Sequence, residues 1–402
     1  MNEGGFFMKL GIAILTGIIG VLLFGVSTSA VAQILPEDPS KGAELFKSKG
    51  CVTCHAIQGK GGTVGPDLGR ILIGETQLDL AAELWNHTPV MIEGMKQAGF
   101  AKITLTGKEI TEITTYLYFL RYFDEPGNAE AGEILFDQKG CLSCHPVLGR
   151  GRDGEPGLVE FPRNASPVFL SQAMWNHSLR MMARMVRVGK KWPDFNETEM
   201  MDTVAYIRTR ARGDEVPEFI TAGSPREGKA VFNAKGCANC HSIHGEDSKQ
   251  GVDLGRRAES FYTSLSRIAS SMWNKGPEMM LFTIAPTQCG VPRFEAKEMN
   301  DLLAYLFFLH YADEPGDASR GKKIFTSAGC AQCHSLMGER GKLMSVELSK
   351  YRNSPPADIV AGIWNHSINM REAIAKKGVS WPKLKSGEMA DLLEFIRTFT
   401  KK

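Results

Sequence analysis

The sequence has almost no net charge, because 47 basic and 45 acidic residues leave a formal net charge of +2 over 402 residues. Non-specific nucleic-acid binding needs a broad basic field, so this class of function is excluded. The sequence also lacks a second apolar run long enough to span a bilayer, which excludes a polytopic membrane protein. Its nine cysteines cannot all pair in disulfides, because an odd number leaves one thiol over.

One long apolar stretch does occur, over residues 10–26, between Lys9 and the small residues Ala30-Val31-Ala32. This order predicts a secretory signal peptide over residues 1–32, cleaved after Ala32. The alternative is an uncleaved anchor, because the stretch reaches the lower length limit for crossing a bilayer. The sequence therefore predicts an exported, periplasmic chain that meets the membrane only through this segment.

The motif Cys-x-x-Cys-His occurs four times, and its first cysteines are spaced by 90, 96 and 93 residues. The cysteines are Cys51, Cys54, Cys141, Cys144, Cys237, Cys240, Cys330 and Cys333, and the histidines are His55, His145, His241 and His334. Repeats of this kind indicate a chain of similar structural units. We expect domains over residues 39–124, 125–213, 221–313 and 314–402, with a two-unit module duplicated.

Each repeat carries the same two helical patterns around its motif. Before the first cysteine stands Gly-x-x-x-Phe, with the pairs Gly42 and Phe46, Gly132 and Phe136, Gly228 and Phe232, and Gly321 and Phe325. Near its end stands an aromatic-aliphatic pair, which begins at Tyr116, Tyr206, Tyr305 or Phe395. Because a glycine lets another helix approach closely, we expect these two helices to cross.

In an exported protein, Cys-x-x-Cys-His is the attachment signature of c-type haem. The two thiols bond the vinyl groups of one haem, and the histidine becomes the proximal ligand of its iron. Zinc would need further ligands at matching spacing, a thioredoxin-like pair would need a βαβ context, and disulfides would not require the histidine. The sequence therefore predicts four covalently bound haems.

With these motifs the chain resembles the class I cytochrome c family in its tandem multihaem form. The resemblance implies an all-α fold in which helices wrap each haem and a methionine is the usual sixth ligand. Repeat one also has Gly65-Pro66-Asp67-Leu68-Gly69, similar to the family loop whose proline carbonyl orients the proximal imidazole. At the position of that proline the later repeats carry Pro156, Val252 and Ser345, a departure that questions this role in repeats three and four.

A distal ligand can also be sought from the repeats themselves. Trp-Asn recurs at Trp85, Trp175, Trp273 and Trp364, and six residues after each tryptophan stands a methionine: Met91, Met181, Met279 and Met370. The rival is a histidine two residues after the tryptophan, on the same helical face: His87, His177 and His366. Repeat three has Lys275 at that position. Histidine ligation at all four sites would therefore need His244 or His310 as the ligand of the third iron. We predict methionine at all four sites, and we interpret the Trp-Asn asparagines as pocket residues.

These features predict an electron carrier, because a six-coordinate haem has no open position for a substrate. Its expected partners are redox proteins, including a membrane oxidoreductase. The alternative is a haem enzyme acting on peroxide, nitrite or nitric oxide, with an open third haem and three relay haems. Repeat three departs most from the others, through Lys275 and the unpaired Cys289.

Overall fold

A computed structural model describes residues 39–71, 76–100, 103–122, 124–149, 151, 155–215, 222–243, 245, 250–255, 264–284, 291–334 and 348–398. These residues are predominantly helical, which confirms the all-α fold class. The predicted signal peptide lies outside the described residues, as do His244, Cys289 and Ser345. No helix within these ranges is both long and apolar enough to cross a membrane.

The described residues form thirteen α-helices and one small hairpin. Repeat one has α1 (Ser40–Ser48), α2 (Gln77–Gln97) and α3 (Gly107–Phe119); repeat two has α4 (Ala129–Gln138), α5 (Pro167–Arg187) and α6 (Glu197–Arg210). Repeat three has α7 (Pro225–Ala234), α8 (Leu265–Asn274), α9 (Gly276–Ile284) and α10 (Ala296–His310); repeat four has α11 (Ala318–Ser327), α12 (Pro356–Lys376) and α13 (Glu388–Thr398). The antiparallel strands β1 (Ala56–Ile57) and β2 (Lys60–Gly61) follow the first cysteine motif.

The first and last helices of every repeat cross at the predicted glycine. A Cβ atom at Gly132 would overlap the backbone carbonyl of Asp202 and approach Tyr206 Cβ to 2.8 Å. Gly42, Gly228 and Gly321 meet α3, α10 and α13 in the same way. Beside the crossing, the paired aromatic rings lie with centroids 6.1, 5.6, 5.7 and 5.5 Å apart in repeats one to four. The predicted helix crossing is confirmed.

The Trp-Asn motif lies on the long middle helix of each repeat. Helix α2 begins after Thr76, whose side chain accepts a hydrogen bond from the Asp79 amide at 3.0 Å, and α5 begins after Ser166 in the same manner. Repeat three divides this helix into α8 and α9. The division falls just before Gly276-Pro277. Helix α2 carries Pro89 at the equivalent position without a break, but Thr88 precedes it where repeat three has Gly276, and glycine destabilises a helix interior.

The four repeats do not pack in the order of the chain. Helices α5 and α6 of repeat two contact α8, α9 and α10 of repeat three, whereas α2 and α3 of repeat one contact α12 and α13 of repeat four. Among the described helices, repeat one makes no comparable contact with repeat two, nor does repeat three with repeat four.

Repeats one and three meet through a buried aromatic cluster at the ends of α3 and α10. Phe307 lies between Phe119 and Tyr122, with ring centroids 5.0 and 5.1 Å away, and it is fully buried. Two hydrogen bonds flank the cluster reciprocally. Asp124 accepts from the Ser266 amide of repeat three, and Asp313 accepts from the Leu78 amide of repeat one, both at 2.9 Å. Such reciprocity is typical of an isologous interface between two like halves.

Candidate haem sites

Each cysteine motif forms a single 3-10 turn that starts from a glycine in the left-handed region. The φ angles of Gly50, Gly140, Gly236 and Gly329 are 82°, 77°, 82° and 81°, a conformation that favours glycine. The turn closes when the histidine amide donates to the carbonyl of the first cysteine, at 3.0 Å for His55. Both thiols and the imidazole are thereby held in one compact unit.

The first cysteine of each motif is half-buried. Burial raises the pKa of Cys141 and the pKa of Cys237 to about 11, and it raises the pKa of Cys51 and Cys330 in the same direction. These thiols are therefore protonated at neutral pH. Redox-active Cys-x-x-Cys pairs depend instead on a thiol with a lowered pKa, so the site does not resemble one.

The proximal histidines are held by a backbone carbonyl. Nδ1 of His55 lies 3.1 Å from the Pro66 carbonyl oxygen, Nδ1 of His145 lies 3.0 Å from that of Pro156, and Nδ1 of His241 lies 2.9 Å from that of Val252. A carbonyl only accepts, so Nδ1 is the donor and Nε2 of the neutral ring is left for a metal. Proline is not needed, because the acceptor is backbone. The carbonyl of Val252 therefore orients the proximal histidine in repeat three, where the sequence had questioned this role. Ser345, the corresponding residue of repeat four, lies outside the described residues.

Two glycines let the polypeptide pack directly on these imidazoles. A Cβ at Gly65 would overlap the His55 ring, and one at Gly251 would lie 2.8 Å from Nδ1 of His241. In repeat one the loop is fixed by Asp67, whose carboxylate accepts from the amides of Gln58 and Gly69 at 2.9 and 3.0 Å. The loop thus sets the orientation of the His55 ring.

Cavities open beside two of the motifs. The cavity of repeat four measures about 720 Å³ and is lined by Cys330, Cys333 and His334 together with apolar side chains such as Phe325 and Leu392. That of repeat two measures about 360 Å³ and is lined by Cys141, Cys144 and His145 among others. Volumes in this range are typical of cofactor and small-molecule sites.

Both candidate distal groups reach these two cavities. His366 and Met370 line that of repeat four, and His177 and Met181 line that of repeat two. The ring centroids of His334 and His366 are 6.3 Å apart, and those of His145 and His177 are 6.0 Å apart. Because a metal–imidazole nitrogen bond is about 2 Å long, this separation leaves room for one iron atom between the rings. Methionine at all four sites stays a prediction. In repeat four the geometry favours the histidine alternative. In repeat two the His177 ring is equally near, but its Nε2 lies 3.1 Å from the Glu155 carboxylate.

Repeats one and three differ from that arrangement. The His87 side chain is 63 % exposed, and its Nδ1 lies 2.9 Å from the carbonyl oxygen of Glu83 on its own helix. Met91 is half-buried and packs against the core. In repeat three the Lys275 ammonium lies 3.3 Å from the Glu278 carboxylate, while Met279 packs against the core. In these two repeats methionine as the distal ligand stays a prediction.

The family model for cytochrome c matches residues 39–119, 225–307 and 318–400. The chain belongs to the cytochrome c family. It is a tandem multihaem class I cytochrome c, and its domains make it a haem-based electron-transfer protein. The matched ranges contain repeats one, three and four, so haem binding by repeat two stays a prediction. No curated protein and no solved structure matches this cytochrome.

The residues present fit a covalently attached haem. In repeat four Cys330 and Cys333 lie at the wall of an apolar cavity, His334 can supply the proximal nitrogen, and a second axial candidate stands opposite. Haem, when bound, supplies an iron that takes up and releases one electron. The polypeptide holds it, excludes water with the apolar wall and fixes the axial groups, which together set the reduction potential.

The Trp-Asn motif of this cytochrome has a role that the sequence analysis missed. The Trp85 indole donates to the Pro382 carbonyl of repeat four at 2.7 Å, and the Asn86 side chain exchanges two hydrogen bonds with the backbone of Leu384, at 2.8 and 2.9 Å. In return, Trp364 donates to the Ile103 carbonyl of repeat one at 2.9 Å. We call this reciprocal arrangement an interlock.

A second interlock joins repeats two and three. Trp175 donates to the Pro292 carbonyl at 2.8 Å, and Trp273 donates to the Pro193 carbonyl at 2.7 Å. Asn176 and Asn274 each bind one backbone residue of the partner repeat through two hydrogen bonds. The asparagines therefore tie repeats together, in addition to the pocket position of Asn365. One signal was available: repeat three keeps Asn274 although it replaces the following histidine with Lys275.

Proposed function

We propose that this cytochrome is exported to the periplasm, binds four haems and carries single electrons between redox-protein partners. The observation that carries the proposal is the histidine geometry repeated in repeats one to three, where a carbonyl holds Nδ1 and leaves Nε2 for iron. Repeat two shares this geometry and the same helix crossing, which supports a haem there as well. The apolar stretch before Ala30-Val31-Ala32 supports export.

Four haems should be visible in the intact mass of the exported protein. We expect the mass to exceed that of the processed polypeptide by four haems, and the paired change Cys141→Ser and Cys144→Ser to remove one of them. Cys289→Ser is the matched control and should leave four, because Cys289 stands outside the attachment motifs. Three haems in the unaltered protein, with none lost on changing Cys141 and Cys144, would refute the count.

The surface around the repeat-two cavity supports an acidic partner. Five basic residues line the cavity mouth: Lys139, Arg180, Arg184, Arg187 and Lys190. Glu155 pairs with Arg180 at 2.8 Å, and Glu199 pairs with Lys139 at 3.1 Å. Five basic and two acidic groups leave a positive excess, whereas among the described residues two lysines, Lys350 and Lys377, line the cavity of repeat four. We name the five residues the basic collar. A local field of one sign steers oppositely charged partners to the site.

The basic collar should make the rate of electron transfer depend on the charge of the redox reagent. With anionic ferricyanide as oxidant of the reduced protein, we expect Arg187→Glu together with Lys190→Glu to slow the bimolecular rate about tenfold at low ionic strength. The effect should shrink as salt is added. Lys377→Glu at repeat four is the control variant. All variants are measured in the same stopped-flow assay, once with ferricyanide and once with cationic hexaammineruthenium. Equal slowing by Lys377→Glu would contradict a special role for repeat two.

A further inference from the structure

We propose that electrons pass between the haems in the spatial order two–three–one–four. The two Trp-Asn interlocks hold together the first pair, two and three, and the last pair, one and four. The order of the chain would instead connect one to two and three to four. The proposal rests on the four bound haems of the proposed function. In each step one ferrous iron is oxidised and a neighbouring ferric iron is reduced, with no bond made or broken.

The first interlock brings repeat one to the cavity of repeat four. Trp85 belongs to α2, the helix that carries the distal candidates of repeat one, yet its ring lines the cavity beside Cys330 and Cys333. It packs against the ring of Trp381 with centroids 4.1 Å apart, and the Trp381 indole donates to the Trp85 carbonyl at 3.1 Å. One aromatic pair therefore connects the distal helix of repeat one with the wall of the fourth site.

The second interlock repeats this arrangement between repeats two and three. Trp273, on α8, stacks on Trp192 with ring centroids 4.2 Å apart, and the Trp192 indole donates to the Trp273 carbonyl at 3.2 Å. Pro193, which accepts from the Trp273 indole, lines the cavity of repeat two. One aromatic pair therefore connects α8 of repeat three with the wall of the second site.

The centre of the route is the aromatic cluster between repeats one and three. Tyr118 and Tyr311 lie with ring centroids 4.4 Å apart, next to Phe119, Tyr122 and Phe307. Tunnelling rates fall steeply with distance, and aromatic contacts join repeats two and three, three and one, and one and four. The route begins and ends at repeats two and four, and the basic collar surrounds the site at one of these ends.

Redox interaction between haems provides the test. Reducing one haem removes a positive charge, which lowers the potential of its neighbours, and the effect decays with distance and screening. We would titrate the protein electrochemically and follow each haem by two-dimensional exchange NMR of partly reduced samples. We expect reduction of haem four to shift haem one more than haem three, and reduction of haem two to shift haem three more than haem one. Larger shifts between one and two and between three and four would overturn the proposal.

Two matched variants test the interlocks separately. Trp85→Phe removes the bond to Pro382, and Trp273→Phe removes the bond to Pro193, while each keeps an aromatic ring. We expect the first to reduce only the one–four interaction and the second only the two–three interaction. Equal losses at both pairs in either variant would overturn the assignment. The haem count is measured by mass on the same samples, so a missing haem contradicts the proposed function, whereas four haems coupled in chain order contradict this inference alone.

Discussion

The Gly321→Ala substitution is expected to destabilise the cytochrome by about 3 kcal/mol. A Cβ at this position would overlap the Asp391 carbonyl and lie 2.8 Å from Phe395 Cβ, so α11 and α13 must move apart. Separation of these helices breaks the packing of the Phe325 ring against the Phe395 ring in the core of repeat four. Guanidinium unfolding followed by far-ultraviolet circular dichroism measures the loss.

Gly94→Ala is the matched control for that experiment. Gly94 lies inside α2, and a Cβ there would meet nothing within 4 Å. Alanine should therefore stabilise the protein by about 0.5–1 kcal/mol, because glycine costs conformational entropy in a helix. Equal effects of the two substitutions would show that helix propensity, and not the crossing, determines the result.

The His366→Ala substitution is expected to open the fourth haem. The ring centroids of His366 and His334 are 6.3 Å apart, so a haem iron held between them would lose its sixth ligand with this imidazole. We expect a ferric high-spin signal from one haem of the four in electron paramagnetic resonance, and rapid binding of cyanide at that haem. The unaltered protein should bind cyanide slowly, because a tethered ligand must first leave.

Met370→Ala is the paired variant, since Met370 lies in the same cavity one helical turn away. We expect it to leave the fourth haem six-coordinate and low-spin. If Met370→Ala opens the site and His366→Ala does not, the methionine rule holds in repeat four. Because methionine raises the potential relative to histidine, the potential of this haem should then be the higher of the two alternatives.

The sequence predicts those parts of the fold that depend on side-chain type. Haem attachment depends on the side chains of Cys51, Cys54 and His55, and the helix crossing depends on the missing side chain of Gly321. Both recur at fixed spacing, so both can be seen in the sequence. The structure bears out the crossing in all four repeats.

The arrangement of the repeats could not be predicted, because it depends on backbone acceptors. Trp85 and Asn86 bind the carbonyls of Pro382 and Leu384, and a carbonyl is present at every residue. The same reason explains the His241 contact, where the carbonyl of Val252 serves as well as that of a proline. The tryptophans and asparagines were visible, but their partners had no side-chain signature.

The first interlock also has a consequence for folding. Trp85 and its acceptor Pro382 are 297 residues apart in the chain, so their contact is among the most non-local in the molecule. Loop closure over such a separation is costly and slow. The interlock surface of repeat one stays uncovered until repeat four has folded against it. Chains truncated before Pro382 therefore expose the Trp85 surface, which favours aggregation.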